Sequence, residues 1–356
     1  MKKSLFLFAA LPLFALASCG GNASTSSASS KNASSAGVPS AASSEEVPSD
    51  LLKSIDLNLI SPTGIPALAL YSFYESDHWL STSTPASYLP PAFASNDYGA
   101  IVFDGITGLT LANKNKDKTD YRLTRWISTG TFYLVSSKHT ADETFNTSST
   151  IDAFVETGTA SQVLRHLAVN AWKWASDAAD LKINYEAGVA DVRSILASNP
   201  DSYDYYVIAE PVLTALKTSF AKDGKTLNVI YDFQEEWGKL HDGAKIPAAG
   251  LFINNNYATG HAEGLKSFLA AIDQNVAKGV DSIGEVKTYL DEAATRTGEA
   301  VADRMGFPSA LAAMCQKDGA NKFALAKSGA IADNRALVND FQTNLGGNTF
   351  AEERFL

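Results

Sequence analysis

The sequence predicts an α/β protein with parallel sheets, and three features carry that prediction. Short apolar runs, each followed by a turn of small or acidic residues and then by a helical run, recur along the chain, which is typical of strand–loop–helix units. The 356 residues are 45% hydrophobic. Roughly 300 of them follow the N-terminal 50 residues, and a body of that length suits two lobes better than one core. No repeat of fixed period occurs, which disfavours a solenoid.

The N-terminal segment predicts a secreted lipoprotein. Lys2 and Lys3 precede an apolar run at 5–17, which is shorter than the roughly 20 residues that span a bilayer and is typical of a secretory signal. Residues 16–19 read Leu-Ala-Ser-Cys, which resembles the bacterial lipobox. We therefore predict a signal peptide at 1–18 and a lipid on Cys19; the alternative is an ordinary signal peptide with an incidental cysteine.

Composition then separates a tether from a body and limits the partners. Residues 19–50 are mostly Ser, Ala, Gly and Asn, which predicts a flexible tether. With Cys19 lipidated, Cys315 is the single remaining cysteine; it lies in an apolar helical stretch and is predicted to be a buried thiol. The net charge of −10 disfavours a nucleic-acid partner. No later segment has spanning length, so passage across a membrane would need another protein.

Three strand–loop–helix units stand out in the body, at 56–70, 99–111 and 205–219. Each pairs an apolar strand with a loop that contains Gly, Pro or an acidic residue. The strand of the last unit is predicted at 205–209 and its helix at 212–219. Further strands are predicted at 153–156, 181–185, 227–231 and 250–253. A helix is predicted after residues 158–161, with Thr159 or Ser161 as its cap, and others follow Asp232 and occupy 261–277 and 283–297.

The order of these motifs resembles the substrate-binding proteins of ABC importers of the nitrate, sulfonate and thiamine-precursor type. The resemblance covers about 56–277. The motifs that carry it are the turn and helix at 61–68, the Phe-Asp-Gly turn within 98–114, the segment 121–136 with its Trp and Ser-Thr-Gly, the acidic-Pro turn at 209–212, and the acidic, Trp-ended motif at 232–237.

That resemblance implies a type II periplasmic-binding-protein fold with two α/β lobes. One lobe would consist of 51–137 and 232–356, and the other of 138–231. Two crossings between the lobes would form a hinge that closes on a ligand.

In such a fold, loops at the carboxyl ends of parallel strands bring polar groups and helix N–H donors together. Each polar residue or glycine in these loops could instead have a purely structural role, as a helix cap, part of a turn or a glycine with positive φ. The predicted ligand-binding residues are Ser61, Thr63, Gly64, Asp104, Gly105, Ser128, Thr129, Gly158, Thr159, Ser161 and Glu210.

Aromatic side chains offer a second kind of contact. Tyr71, Trp79 and Trp126 could stack on a flat ligand, although aromatics at such spacing more often pack in a core. Trp237 is interpreted as core or hinge packing.

Signals for catalysis and cofactors are weak. The sequence contains no G-x-x-x-x-G-K-[ST], G-x-S-x-G or H-E-x-x-H motif. Its five histidines, at 78, 139, 166, 241 and 261, are scattered singly without zinc-site spacing. We predict no catalytic residue, no cofactor and no metal.

Together these features predict an extracytoplasmic, monomeric, solute-binding lipoprotein that passes a small molecule to an ABC permease. One alternative is a surface adhesin or structural lipoprotein, which would use its exterior. Another is an enzyme on the same fold, like the fungal thiamine-pyrimidine synthases, whose Cys-rich iron-binding run is missing here. The ligand stays open. Helix N-termini favour an anion, although the four candidate loops contain no Arg, whereas Asp104 and Glu210 favour an amine or a heterocycle. Trp126 beside Ser128 and Thr129 favours a flat, neutral or partly cationic heterocycle.

Overall fold

The computed structural model describes residues 57–74, 79–83, 89–143, 145–299, 301–306 and 331–356, with backbone only at 79–83, 302–303 and 331–332. The predicted signal peptide, Cys19, the tether, Cys315 and the Trp79 side chain lie outside the described part. The strands are β1 (Leu59–Pro62), β2 (Trp79–Ser83), β3 (Ala100–Asp104), β4 (Tyr121–Trp126), β5 (Phe132–Ser136), β6 (Thr150–Phe154), β7 (Lys182–Glu186), β8 (Tyr205–Ala209), β9 (Asn228–Asp232) and β10 (Ala249–Asn254).

The helices separate most of these strands along the chain, as the sequence predicts for the α/β class. They are α1 (Ile65–Leu68), α2 (Leu89–Ala92), α3 (Gly105–Lys114), α4 (Thr159–Asn170), α5 (Val189–Ser198), α6 (Val212–Lys222), α7 (Phe233–Leu240), α8 (Asn255–Gly260), α9 (Ala262–Asp281), α10 (Ile283–Thr297), α11 (Val301–Arg304) and α12 (Ile331–Asn344).

The strands form two five-stranded sheets with the same plan. The first sheet has the order β2-β1-β3-β10-β4 and the second has the order β7-β6-β8-β5-β9. In each sheet the first three strands in that order pair in parallel, and the fourth strand, β10 or β5, is antiparallel to both of its neighbours. The prediction of parallel sheets is therefore incomplete. Each sheet also contains one antiparallel strand, β10 or β5, which the chain forms directly after it crosses from the other sheet.

The chain crosses between the sheets twice. The first crossing, 127–131, joins β4 to β5, and the second crossing, 241–248, leads from α7 to β10. Backbone hydrogen bonds join the crossings, from Gly130 N to Ile246 O at 2.8 Å and from Ala248 N to Ser128 O at 3.1 Å.

These crossings correct the segment bounds given in the sequence analysis. The bound at 137 falls after β5, yet β5 already belongs to the second sheet. The bound at 231 falls before α7, yet α7 packs on α4, β5 and β9 of the second sheet. The crossings lie where the strand partners change, which local sequence does not reveal.

Strand β8 is buried on both faces, which explains why its sequence is one apolar run. Tyr205 and Val207 face one core, whereas Tyr206 and Ile208 face another. Both faces are covered by helices, as is usual for parallel strands, so alternation of polar and apolar residues is absent. Helices α5 and α6 cover the second of those faces through Val192, Leu196, Leu213 and Leu216.

Candidate functional site

A cavity of about 1100 Å³ lies between the two sheets. Its walls come from loops that follow β1, β3, β6, β7 and β8, and its floor includes residues of both crossings. Because those loops follow the carboxyl ends of the parallel strands, the cavity lies where the strand–loop–helix pattern places a site.

Seven of the predicted ligand-binding residues line this cavity, and they come from both sheets and a crossing. They are Thr63, Gly64, Asp104, Ser128, Gly158, Thr159 and Glu210.

Four predicted residues are placed elsewhere. The Ser61 hydroxyl is fully buried and donates to Pro62 O at 2.9 Å, and the Ser161 hydroxyl donates to Phe154 O at 2.8 Å. Thr129 forms a bridge with Pro247 between the two crossings. Gly105 lies beneath the Trp126 ring, which a Cβ atom at this position would meet at 2.1 Å. These four serve local packing and the crossings.

Trp126 and Tyr71 are core residues, which corrects the suggestion that they stack on a ligand. Trp126 is 2% exposed, and its indole Nε1 donates to Asn334 O at 3.4 Å. Tyr71 is 4% exposed and packs edge-on against Tyr289 at 5.1 Å. Trp237 is fully buried, as the sequence interpretation has it.

Asp104 caps helix α3 at the edge of the cavity. Its Oδ1 accepts a hydrogen bond from Thr107 N at 2.8 Å, which occupies one of the N-terminal N–H donors of that helix. Burial raises the pKa of Asp104, and donor groups of Thr159 and Thr107 offset part of that rise. Since Thr159 begins a helix of the second sheet, the carboxyl group of Asp104 faces an element from across the cavity.

Glu210 plays the same local role for helix α6. Its side chain is 7% exposed and accepts from Thr214 N at 3.1 Å and from Thr214 Oγ1 at 2.9 Å. Four helices of ten or more residues begin at the cavity, namely α3, α4, α5 and α6. Of these, α3 and α6 have a carboxylate of the protein at their N-termini.

The other two, α4 and α5, have no such cap. Gly158 and Gly188 are their N-cap residues, and a glycine has no side chain with which to cap the helix that follows it. The expectation that Thr159 or Ser161 caps α4 is wrong, because both lie inside the helix. Thr159 is fully buried, and within the described part of the chain its Oγ1 makes no hydrogen bond of standard geometry. The backbone and side-chain donors of Thr159, at the start of α4, face the carboxyl group of Asp104 across the cavity.

Sequence analysis missed several residues that complete the cavity. Arg193 lies on α5, one turn beyond its start, and is an exposed residue on the cavity wall. No ion pair to Arg193 occurs among the described residues. Apolar walls come from Phe103, Phe132 and Phe154. None of these follows a recognisable loop signal, so spacing in the sequence could not select them.

Two further findings bear on function. Among the residues that the structure describes, no helix has the length and hydrophobicity to span a membrane. In the same part of the chain, no group of three or more His, Cys, Asp or Glu side chains is arranged to hold a metal ion.

Solved structures share this architecture, which is that of a periplasmic binding protein with two α/β sheets around a cleft. A ligand-binding component of an ABC-type import system from Staphylococcus aureus aligns with a TM-score of 0.58 at 10% identity, covering 84% of this chain and 95% of that one. The periplasmic aliphatic sulphonate binding protein SsuA of Escherichia coli aligns with a TM-score of 0.55 at 14% identity, covering 81% and 90%.

A Candida albicans protein described as having the generic periplasmic binding protein fold aligns with a TM-score of 0.50 at 10% identity, covering 82% and 89%. No protein-family model matches the sequence, and no curated protein is significantly similar to it. The predicted fold class is confirmed, and the resemblance to sulfonate-type import proteins is confirmed as a likeness in fold.

Proposed function

We propose that this protein is an extracytoplasmic solute-binding protein that captures a small molecule between its sheets and delivers it to an ABC permease. The observation that carries the proposal is the cavity of about 1100 Å³, whose polar groups come from both sheets. A surface that is split between two bodies joined by a hinge can close around a ligand, which a one-sided pocket cannot do.

The two crossings support closure. They run side by side, and their backbone hydrogen bonds form a short ribbon between the sheets. A ribbon of this kind can bend without breaking the hydrogen bonds within either sheet. Ligand binding would then be coupled to a shape that a permease recognises.

The charge pattern of the cavity favours a ligand with an anionic group beside an apolar body. Asp104 and Glu210 accept hydrogen bonds at the starts of α3 and α6, and the donors of Thr159 at the start of α4 face the Asp104 carboxyl group. The start of α5, at Gly188, lines the cavity without a capping side chain. Arg193 adds a positive charge on the same side, and Phe103 belongs to the apolar wall. Helix N-termini and guanidinium groups both bind anions favourably. The solved sulphonate-binding neighbour fits this ligand class.

The N-terminal pattern supports attachment to the membrane through Cys19, with 19–50 as the tether and the body as a monomer. Replacing Cys19 with Ala tests this part separately. We expect the variant to leave the membrane fraction while its ligand binding stays unchanged. If the variant stays in the membrane fraction, the lipid anchor is refuted and the binding function is not.

The binding proposal is tested by thermal shift and calorimetry of the full-length protein with alkylsulfonates, carboxylates, nitrate, pyrimidines, flavins, amino acids and polyamines. A ligand at a hundredfold excess over its Kd adds about 2.7 kcal/mol to stability. We expect stabilisation by organic anions. Thr159→Val and Arg193→Gln should each weaken binding about tenfold or more, since a hydrogen bond to a charged group is worth about 1.5–3 kcal/mol.

Matched controls remove the same chemical groups outside the cavity. Thr110→Val changes an exposed threonine on α3, and Arg335→Gln removes a positive charge that pairs with Glu352. Both should bind like the unaltered protein. A folded protein that no member of the panel stabilises would favour the adhesin alternative, and stabilisation by polyamines alone would contradict the anion preference.

A further inference from the structure

Folding brings together two histidines that are 75 residues apart in the sequence. His166 lies on α4, and His241 directly follows α7, at the start of the second crossing. Their Nε2 atoms are 3.0 Å apart, and their ring centroids are 5.1 Å apart. In the sequence these two histidines are scattered singly, without the spacing of a metal site.

The surroundings hold both rings in place. Each ring packs against the buried Trp237, with centroids 5.1 Å from His166 and 4.3 Å from His241. The Asn170 amide nitrogen lies 3.3 Å from His166 Nδ1, so a polar group also orients the far side of that ring. Neutral imidazoles have the lone pairs that metal ions require.

The two nitrogen atoms are within hydrogen-bonding distance of each other, and their separation also suits a metal ion that takes ligands at about 90°. With metal–nitrogen bonds of about 2.05 Å, a separation of 3.0 Å gives an N–metal–N angle of about 94°. A tetrahedral ion would need the nitrogens about 3.35 Å apart. An angle near 90° is that of square-planar or tetragonal Cu²⁺ and Ni²⁺, which also prefer imidazole ligands.

We propose that His166 and His241 form a two-histidine site for one Cu²⁺ or Ni²⁺ ion. Both residues are partly exposed, so an ion can enter from solvent and water can occupy its other coordination positions. No third His, Cys, Asp or Glu joins them among the described residues, so the protein supplies two adjacent ligands only. The site is distinct from the cavity and does not depend on the proposed function.

The ion would connect helix α4, which begins at the cavity, to the start of the second crossing between the sheets. Helix α4 begins at the cavity with Thr159, and His166 lies two turns further along it. His241 begins the crossing that reaches the first sheet at β10. Metal binding therefore ties a wall of the cavity to the hinge.

The test uses the full-length protein in mild detergent, freed of metal with a chelator and titrated calorimetrically with NiCl₂. We expect one high-affinity equivalent and a rise in melting temperature. His166→Gln and His241→Gln should each weaken Ni²⁺ binding by about tenfold or more. The matched control is His261→Gln, because His261 stacks on Tyr257 outside this pair; it should bind Ni²⁺ like the unaltered protein.

Electron paramagnetic resonance with one equivalent of CuCl₂ gives an independent readout. The unaltered protein should show hyperfine coupling to two imidazole nitrogens, and either variant should lose one of them. If a variant does not fold, the spectrum of the unaltered protein decides the question by its nitrogen count. The proposal is overturned if Ni²⁺ does not bind, if both variants retain full affinity, or if the spectrum shows no pair of imidazole nitrogens.

Discussion

Replacing Asp152 with Asn changes a carboxyl group that the fold buries inside the second sheet. Asp152 lies on β6 and is 0% exposed. Its Oδ1 accepts from Asn184 Nδ2 at 2.8 Å, and the same amide donates to Glu186 Oε1 at 2.8 Å. In the described part of the chain Oδ2 has no hydrogen-bond partner. Burial and the charge of Glu186 outweigh the Asn184 hydrogen bond and raise the pKa of Asp152 to about 6.

The raised pKa predicts how the unfolding free energy changes with pH. An unfolded Asp has a pKa of about 3.9, so between about pH 4 and pH 6 the folded protein holds a proton that the unfolded chain has released. The unfolding free energy therefore falls as the pH rises through that window. A tenfold change in proton affinity is worth about 1.4 kcal/mol, which puts the upper bound at about 3 kcal/mol by pH 7. Asn at 152 cannot ionise, so Asp152→Asn should not show this loss.

Urea unfolding of the unaltered protein and of Asp152→Asn at pH 4, 5, 6 and 7 measures the effect. We expect the stability of the variant, relative to the unaltered protein, to rise by about 1–3 kcal/mol from pH 4 to pH 7. Asp142→Asn, at an exposed carboxylate, is the control and should show no such trend. A stability difference that is constant between pH 4 and pH 7 would refute the reasoning, because the native Asp152 would then titrate like an exposed one.

Three further substitutions test buried contacts of the protein by thermal unfolding. Gly105→Ala should destabilise the protein by about 1–3 kcal/mol, because its Cβ would meet the Trp126 ring at 2.1 Å. Asn275→Ala should cost about 1–3 kcal/mol, because the buried amide donates to Ala69 O at 2.9 Å and its loss leaves that carbonyl unsatisfied. Glu210→Ala should cost about 1 kcal/mol by removing the cap of α6.

Gly264→Ala is the matched control for the glycine prediction. Gly264 lies in α9, and no atom lies within 4 Å of the position of an added Cβ. We expect this substitution to stabilise the protein by up to about 1 kcal/mol through helix propensity. Equal effects of Gly105→Ala and Gly264→Ala would contradict the close packing of Trp126. A Glu210→Ala variant that melts like the unaltered protein would contradict the cap, and an unchanged Asn275→Ala variant would contradict the buried hydrogen bond.

Local sequence was a good guide wherever local rules control the structure. The predicted strand 205–209 and helix 283–297 have the bounds found in the structure. A continuous run of β-branched, aromatic and small residues defines the strand, and an apolar face with helical spacing defines the helix. Strands β4 and β5 were not separated in advance, because a short bend between two sheets leaves no strong signal in composition.

The candidate site was predictable where its residues sit in loops after parallel strands. Thr63, Asp104, Thr159 and Glu210 are examples, since the fold class alone directs those loops to one edge. Arg193 was not predictable, because it lies beyond the first turn of α5 and reaches the cavity only through the packing of that helix. Side-chain direction was equally hidden, since a local hydrogen bond holds the Ser161 hydroxyl away from the cavity.

The sequence by itself determined the α/β class, most strands and helices, and the loops that surround the cavity, because these depend on periodicity and turn chemistry over a few residues. Only the tertiary structure decided the antiparallel strands, the points of crossing, the two uncapped helix starts and the meeting of His166 with His241. Those features depend on contacts between residues far apart in the chain, and such contacts are fixed by packing, which no local pattern encodes.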